Sequence, residues 1–114
     1  NIDGGRIVCF GSGVNGRYME RALMVRGIDI DCYADNSMEK WNTEINGHIC
    51  IEPSSIEKEK DVVIVAILHN EPVIKQLEQM GVKHILKEVD LEKPIHYAMP
   101  KKDRINEFFN TVWK

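Results

Sequence analysis

Apolar positions along this chain fall into short unbroken runs, separated by stretches in which they recur every three or four residues. Residues 6–10 carry Ile7, Val8, Cys9 and Phe10 without alternation, the pattern of a parallel strand covered on both faces. After a glycine-rich break, Val14, Tyr18 and Ala22, with Met19 and Leu23, recur at helical spacing, and Asn15, Arg17, Glu20 and Arg21 are assigned to the opposite, polar face. Gly27 is a natural stop for this helix. Residues 28–34 combine β-formers with partial alternation and close on the turn pair Asp35-Asn36. Strand, helix and strand within roughly thirty residues predict a right-handed βαβ unit with adjacent parallel strands.

The second half repeats the alternation of types. Residues 37–41 suit one helical turn, and the β-prone segments 43–45 and 48–51 flank Asn46-Gly47, a strong hairpin signal. Residues 53–55 start a short helix-like piece that ends in the charge run 57–61, read as solvated surface. Residues 62–68 are the most apolar run and predict a central parallel strand. Asn70 is placed to cap a helix that carries Pro72 in its first turn, presents Val73, Ile74, Leu77 and Met80 on one face, and stops at Gly81. Residues 82–86 form a fifth strand. Beyond it, Ile95, Tyr97 and Met99 alternate as in a short edge strand, and Ile105, Phe108, Phe109 and Val112 mark a C-terminal amphipathic helix. The expected architecture is α/β: an open, mainly parallel sheet of order 3-2-1-4-5, with helices on both faces in three layers.

Length and composition narrow the function. The chain has 114 residues, enough for one domain with a single core and too few for a cofactor domain plus a substrate domain. Its start at Asn1 rather than Met reads as an excised segment or a trimmed start, and a place within a longer protein is expected. A net charge of -3 argues against a general nucleic-acid binder, which needs clustered Lys and Arg. No apolar run approaches the ~20 residues that span a bilayer and no signal peptide is visible, so a cytoplasmic, non-membrane protein is expected. Cys9, Cys32 and Cys50 each fall within a predicted strand without C-x-x-C spacing, and read as buried free thiols rather than metal ligands.

Chemistry concentrates at Gly11-x-Gly13-x-x-Gly16, which lies between a buried strand and a helix, the context in which this pattern becomes a dinucleotide fingerprint. Gly11 permits a tight turn, Gly13 leaves room for a diphosphate, and Gly16 allows close helix packing. The helix N-terminus offers unpaired N–H groups and partial positive charge to an anion. Asp35 follows Gly16 at about the ~20-residue offset of an acid that bonds an adenine ribose, which favours NAD over NADP; Arg17 works against that preference. His69 and Asn70 end the central strand on the same carboxyl edge and are candidate contacts, with a loop and capping role as the plain alternative. The glycines can equally be an architectural turn, and Asp35-Asn36 a turn pair that touches no ligand.

Recognisable reacting groups are missing: there is no H-E-x-x-H, C-x-x-C, G-x-S-x-G or phosphate-loop G-K-[ST] pattern. Tyr97-x-x-x-Lys101 matches the Tyr/Lys pair of short-chain dehydrogenases only superficially, because Pro100 interrupts the helix that would align the two. His48, His84 and His96 are scattered and read as ordinary strand or surface residues, and Trp41 as a cover for the second-strand turn.

With the glycine turn, the segment 33–41 (Tyr-Ala-Asp-Asn-Ser-Met-Glu-Lys-Trp) and the segment 45–53 in place, the chain resembles a recurrent bacterial Rossmann-like domain that accompanies enzymes of surface-polysaccharide and sugar-nucleotide metabolism. The resemblance covers roughly residues 6–89. It implies a site for NAD or a sugar nucleotide at Gly11, Ser12, Gly13, Val14, Asn15 and Asp35, with a contribution from His69; Gly16 and Asn36 complete the candidate set. It implies no single reaction, and the catalytic residues are expected in an attached domain. Two further readings stay open. One is a freestanding NAD-dependent oxidoreductase or epimerase completed by dimerisation, using His69 or Tyr97. The other is an interaction domain with a vestigial nucleotide site, whose terminal Phe108, Phe109 and Trp113 dock a homodimer partner or an attached domain.

Overall fold

A computed structural model of the chain describes residues 5–87. The expected edge strand at 95–99, the Tyr97/Lys101 pair, His96 and the helix at 101–113 lie outside the described residues. Elements follow in the order β1 (Ile7–Phe10), α1 (Val14–Val25), β2 (Cys32–Ala34), β3 (Glu44–Ile45), β4 (His48–Ile51), β5 (Val62–Val65), α2 (Glu71–Met80) and β6 (His84–Lys87). Short 3-10 turns occur at Met38–Lys40 and Pro53–Ser55.

The result is a mixed α/β fold with a six-stranded, mostly parallel sheet ordered β3-β4-β2-β1-β5-β6. The expected order contained five strands; the hairpin contributes two. Its second strand, β4, pairs parallel with β2, and β3 adds an antiparallel edge. Asn46 (φ 53°) and Gly47 (φ 85°) both occupy the left-handed region, as the two central residues of a type I′ turn require.

The unbroken apolar runs are explained by burial on both faces. Ile7 and Cys9 of β1, with Val62, Ile64 and Ala66, pack with Met19 and Leu23 of α1. Val8 and Phe10, with Val63 and Val65, pack with Val73 and Leu77 of α2. Leu23 and Leu77 are fully buried, a transfer worth about 2–3 kcal/mol each. Gly81 (φ 88°) ends α2 in the left-handed cap expected of it.

Three details depart from the sequence reading. The second strand covers only Cys32–Ala34: Asp31 N–H still donates to the Ile7 carbonyl at 2.8 Å, and its carboxylate accepts from Ile7 N–H at 2.7 Å, while Ile28 and Ile30 are buried without ladder pairing. Asp61, at the end of the supposedly solvated charge run, is 0% exposed. It accepts from the Arg6 backbone N–H at 2.9 Å, from Arg6 Nη2 at 2.8 Å and from Glu57 N–H at 2.8 Å, tying β1 to β5 at the end opposite the glycine turn. Third, α1 is rotated from the expected orientation. Gly16, Met19, Glu20 and Leu23 face the sheet, while Val14 and Tyr18 are about two-thirds exposed. No described helix is long and apolar enough to cross a membrane.

Candidate functional site

Gly11 leaves β1 at φ 110°, and its N–H still reaches the Ala34 carbonyl at 2.8 Å, so the turn starts while the chain is hydrogen-bonded to β2. A Cβ here would sit 2.8 Å from the Ala66 carbonyl oxygen and 3.0 Å from Ile67 Cγ1. Only glycine meets both conditions. A Cβ on Gly16 would collide with the Gly11 carbonyl oxygen, so helix α1 packs directly on the turn it follows. Beneath both, the Cys9 thiol lies 3.8 Å from the Gly11 carbonyl oxygen and 3.7 Å from that of Gly16. Gly13 differs: a Cβ there would meet nothing within 4 Å, and the residue is the N-cap of α1 with no side-chain capping bond. The first turn of α1 carries no acidic residue, leaving its N–H groups and the positive end of the helix dipole without a carboxylate from that turn.

Asp35 leaves β2 beside this turn. Its Oδ2 accepts from Ser12 N–H at 3.0 Å and Ser12 Oγ at 2.7 Å, and its Oδ1 accepts from Ser37 N–H at 2.9 Å. Lys40 Nζ approaches Oδ2 at 3.7 Å. Burial works against the charge on Asp35, but the bonds from Ser37 and Ser12, with Lys40, prevail and hold the carboxyl below its ordinary range. Trp41 covers this strand end and donates from Nε1 to the Asp35 carbonyl at 2.7 Å. A carboxylate offers about four acceptor positions, and three are filled from within the protein. Asp35 therefore has room for one more donor; a two-hydroxyl grip would require displacing Ser12 or Ser37.

The turn opens onto a cleft of about 340 Å³ at the carboxyl ends of β1, β2 and β5. Gly11, Ser12, Gly13, Val14, Asn15 and Asp35 line it, with Ala66, Ile67, Leu68 and His69 opposite. Adjacent β1 and β5 form the point where strand order reverses, the usual place for a ligand in an open α/β sheet. Seven of the nine expected residues thus line one cleft. Gly16 is buried under the turn, and Asn36 turns away to exchange two side-chain hydrogen bonds of 3.0 Å with Gln76 of α2. Asn70 stands at the N-cap of α2, although its side chain makes no capping bond.

Ala66 to Leu68 had read as strand. The ladder stops at Val65, and Leu68, 77% exposed, belongs to the rim of the cleft. The four-residue length of β1 was the available signal, because paired parallel strands end together.

A second polar constellation was not expected. Glu20, read as outward-facing, is 5% exposed and accepts from Tyr33 Oη at 2.5 Å and Asn46 Nδ2 at 2.8 Å, while its other oxygen lies 2.8 Å from His48 Nε2. Burial opposes its charge, but these bonds and the positive potential of His48 leave the carboxyl below its ordinary range. Burial and the bond to Glu20 push the Tyr33 hydroxyl strongly upward. The network joins α1, β2 and the hairpin. Among the described residues, no group of three or more His, Cys, Asp or Glu side chains is arranged to hold a metal ion.

The sheet and the cleft at its carboxyl edge define a small α/β domain with a glycine-rich strand-to-helix turn lining that cleft. The chain belongs to the C2185-like N-terminal family, whose model it matches over residues 4–86. No curated protein matches it.

Proposed function

We propose that this domain binds a dinucleotide or sugar nucleotide in the cleft at the glycine turn, as the ligand-holding part of a larger enzyme of surface-polysaccharide or sugar-nucleotide metabolism. In this reading the fold is Rossmann-like and three-layered, and β4-β2-β1-β5-β6 corresponds to the 3-2-1-4-5 order with the hairpin's β3 appended at one edge. The carrying observation is the contrast among the glycines: Gly11 and Gly16 are filled by the protein itself, whereas Gly13 faces open space at the start of α1. The backbone can therefore approach a phosphate most closely at this point.

The residues fit such a ligand unequally. The N–H groups at the start of α1 suit a diphosphate, Asp35 can accept one hydroxyl, and Ala66 to Leu68 offer an apolar wall. His69 lines the same cleft and can reach a bound ligand from the β5 side. A bound nicotinamide would supply the hydride chemistry; the chain's part is to hold the phosphates, orient one hydroxyl and cover one side of the ligand.

Isothermal titration calorimetry and thermal shift with NAD, NADP, UDP-sugars, CDP-sugars and coenzyme A test the proposal. Binding of at least one, weakened by Gly13→Val, is the expected result. No binding of any of them at millimolar concentration overturns it.

A further inference from the structure

Helix α1 carries a second stripe, beside the one that faces the sheet. Val14, Arg17, Tyr18 and Arg21 follow the i, i+3, i+4, i+7 spacing of one helix face, and together with Asn46 at the hairpin tip they line a groove of about 280 Å³. Arg17 and Arg21 are one helical turn apart, about 6 Å along the axis. Neither forms an ion pair among the described residues. The helix dipole favours cations at the C-terminal end, where the C-cap Arg26 donates to the Ala22 carbonyl at 3.1 Å; Arg17, at the fourth position of α1, gains nothing from it.

Aromatic and apolar surface accompanies the two arginines. Tyr18, 67% exposed, offers an aromatic face, and Val14 is 66% exposed. The opposite wall is held in place: Asn46 adopts φ 53° in the turn, and its amide is tied to buried Glu20 at 2.8 Å. At about 280 Å³ the groove falls just below the usual range of ligand sites, about 300–1,000 Å³, and is sized for one part of a ligand. Val14 lines both this groove and the cleft at the glycine turn, so the two adjoin at the start of α1.

We infer that this groove is a subsite for an acidic group, carboxylate or phosphate, carried on a ring at the far end of the ligand held at the glycine turn. The inference rests on the nucleotide reading of that cleft and narrows its ligand to an acidic class. Paired guanidinium groups recognise carboxylate and phosphate oxygens through charged, often bidentate hydrogen bonds, and Tyr18 stacks on the ring that bears them.

Calorimetry on the full chain with two matched pairs tests this: UDP-glucose against UDP-glucuronate, and NAD against NADP. In the wild type the acidic member of at least one pair binds about tenfold tighter than its neutral partner, the scale of one charged hydrogen bond. The pair showing the preference distinguishes carboxylate from phosphate. In the Arg17→Gln/Arg21→Gln variant the preference disappears while the affinity of the neutral member is unchanged. Both positions are exposed and glutamine is nearly as good a helix former, so circular dichroism should report an unaltered fold. Equal affinity of both members in the wild type, or a preference that survives in the variant, overturns the subsite and leaves the nucleotide reading standing. Failure of all four ligands to bind overturns the subsite, and the nucleotide reading falls with it when CDP-sugars and coenzyme A also fail to bind.

Discussion

Ser12 donates both its backbone N–H and its hydroxyl to a single oxygen of Asp35, at 3.0 and 2.7 Å. The carboxylate at the end of β2 thus sets the shape of the turn after β1, and Asp35 is first of all a brace for that turn. Asp35→Ala removes three accepted bonds and is expected to cost about 2–3 kcal/mol; Ser12→Ala removes only the hydroxyl and is expected to cost about 1 kcal/mol. Urea denaturation of both variants measures this. Equal losses would show that the hydroxyl alone carries the brace.

Substitutions at two glycines of one motif should separate. Gly16→Ala forces a methyl group into the Gly11 carbonyl and is expected to destabilise the domain by about 3 kcal/mol or more. Gly13→Ala enters open space at an N-cap without a capping bond and should cost less than about 1 kcal/mol. Binding should respond in the opposite sense, with Gly13→Ala losing nucleotide affinity while its melting temperature stays close to wild type.

The buried Glu20 network predicts both a mutational cost and a pH dependence. Glu20→Ala leaves Tyr33, Asn46 and His48 without their shared acceptor and is expected to cost about 3 kcal/mol; Glu20→Gln keeps one oxygen and should cost less. Glu20, Asp35 and Asp61 are all held below the ordinary carboxylate range. The unfolded chain therefore takes up protons at higher pH than the folded one. Their stabilisation is complete above the unfolded carboxylate range near pH 4, and is lost as pH falls through the depressed folded values. Burial also lowers the proton affinity of His84, which adds an earlier decline below about pH 6.5. Denaturation midpoints measured from pH 8 to pH 3 should fall steadily toward acid, and the acid limb should be shallower in Glu20→Gln.

Thiol chemistry should be silent in the native state. All three cysteines are buried, and burial pushes the Cys9 thiol up to about 12 and that of Cys32 to about 11, with Cys50 shifted the same way. A disulfide reagent at pH 8 is expected to label none of them until the domain unfolds, and to label all three in urea. Rapid labelling of one native thiol would reveal local opening around its strand.

Much of the framework is legible from local chemistry. The unbroken runs at Ile7–Phe10 and Val62–Val65, the Asn46-Gly47 turn and the glycine stop at Gly81 each depend on properties a residue keeps in any context: apolar surface, β-branching or freedom at positive φ. The glycine turn and Asp35 could be placed in one site because a parallel βαβ unit brings the ends of adjacent strands together. Glu20 shows where such reasoning stops. Its charge assigned it to solvent, and only the Tyr33 hydroxyl, the Asn46 amide and His48 converging from β2 and the hairpin make its burial favourable.

The amino-acid order by itself thus determined the succession of elements, the strand-turn-helix motif and the glycine turn that lines the cleft, since each follows from interactions within a few positions. Tertiary structure decided the rotation of α1. Facing Glu20 inward satisfies buried Tyr33, half-buried His48 and the amide of exposed Asn46 at once, and this turns Val14 and Tyr18 out beside Arg17 and Arg21 to form the second groove. That choice depends on partners 13 to 28 residues away, and no local pattern in the helix records them.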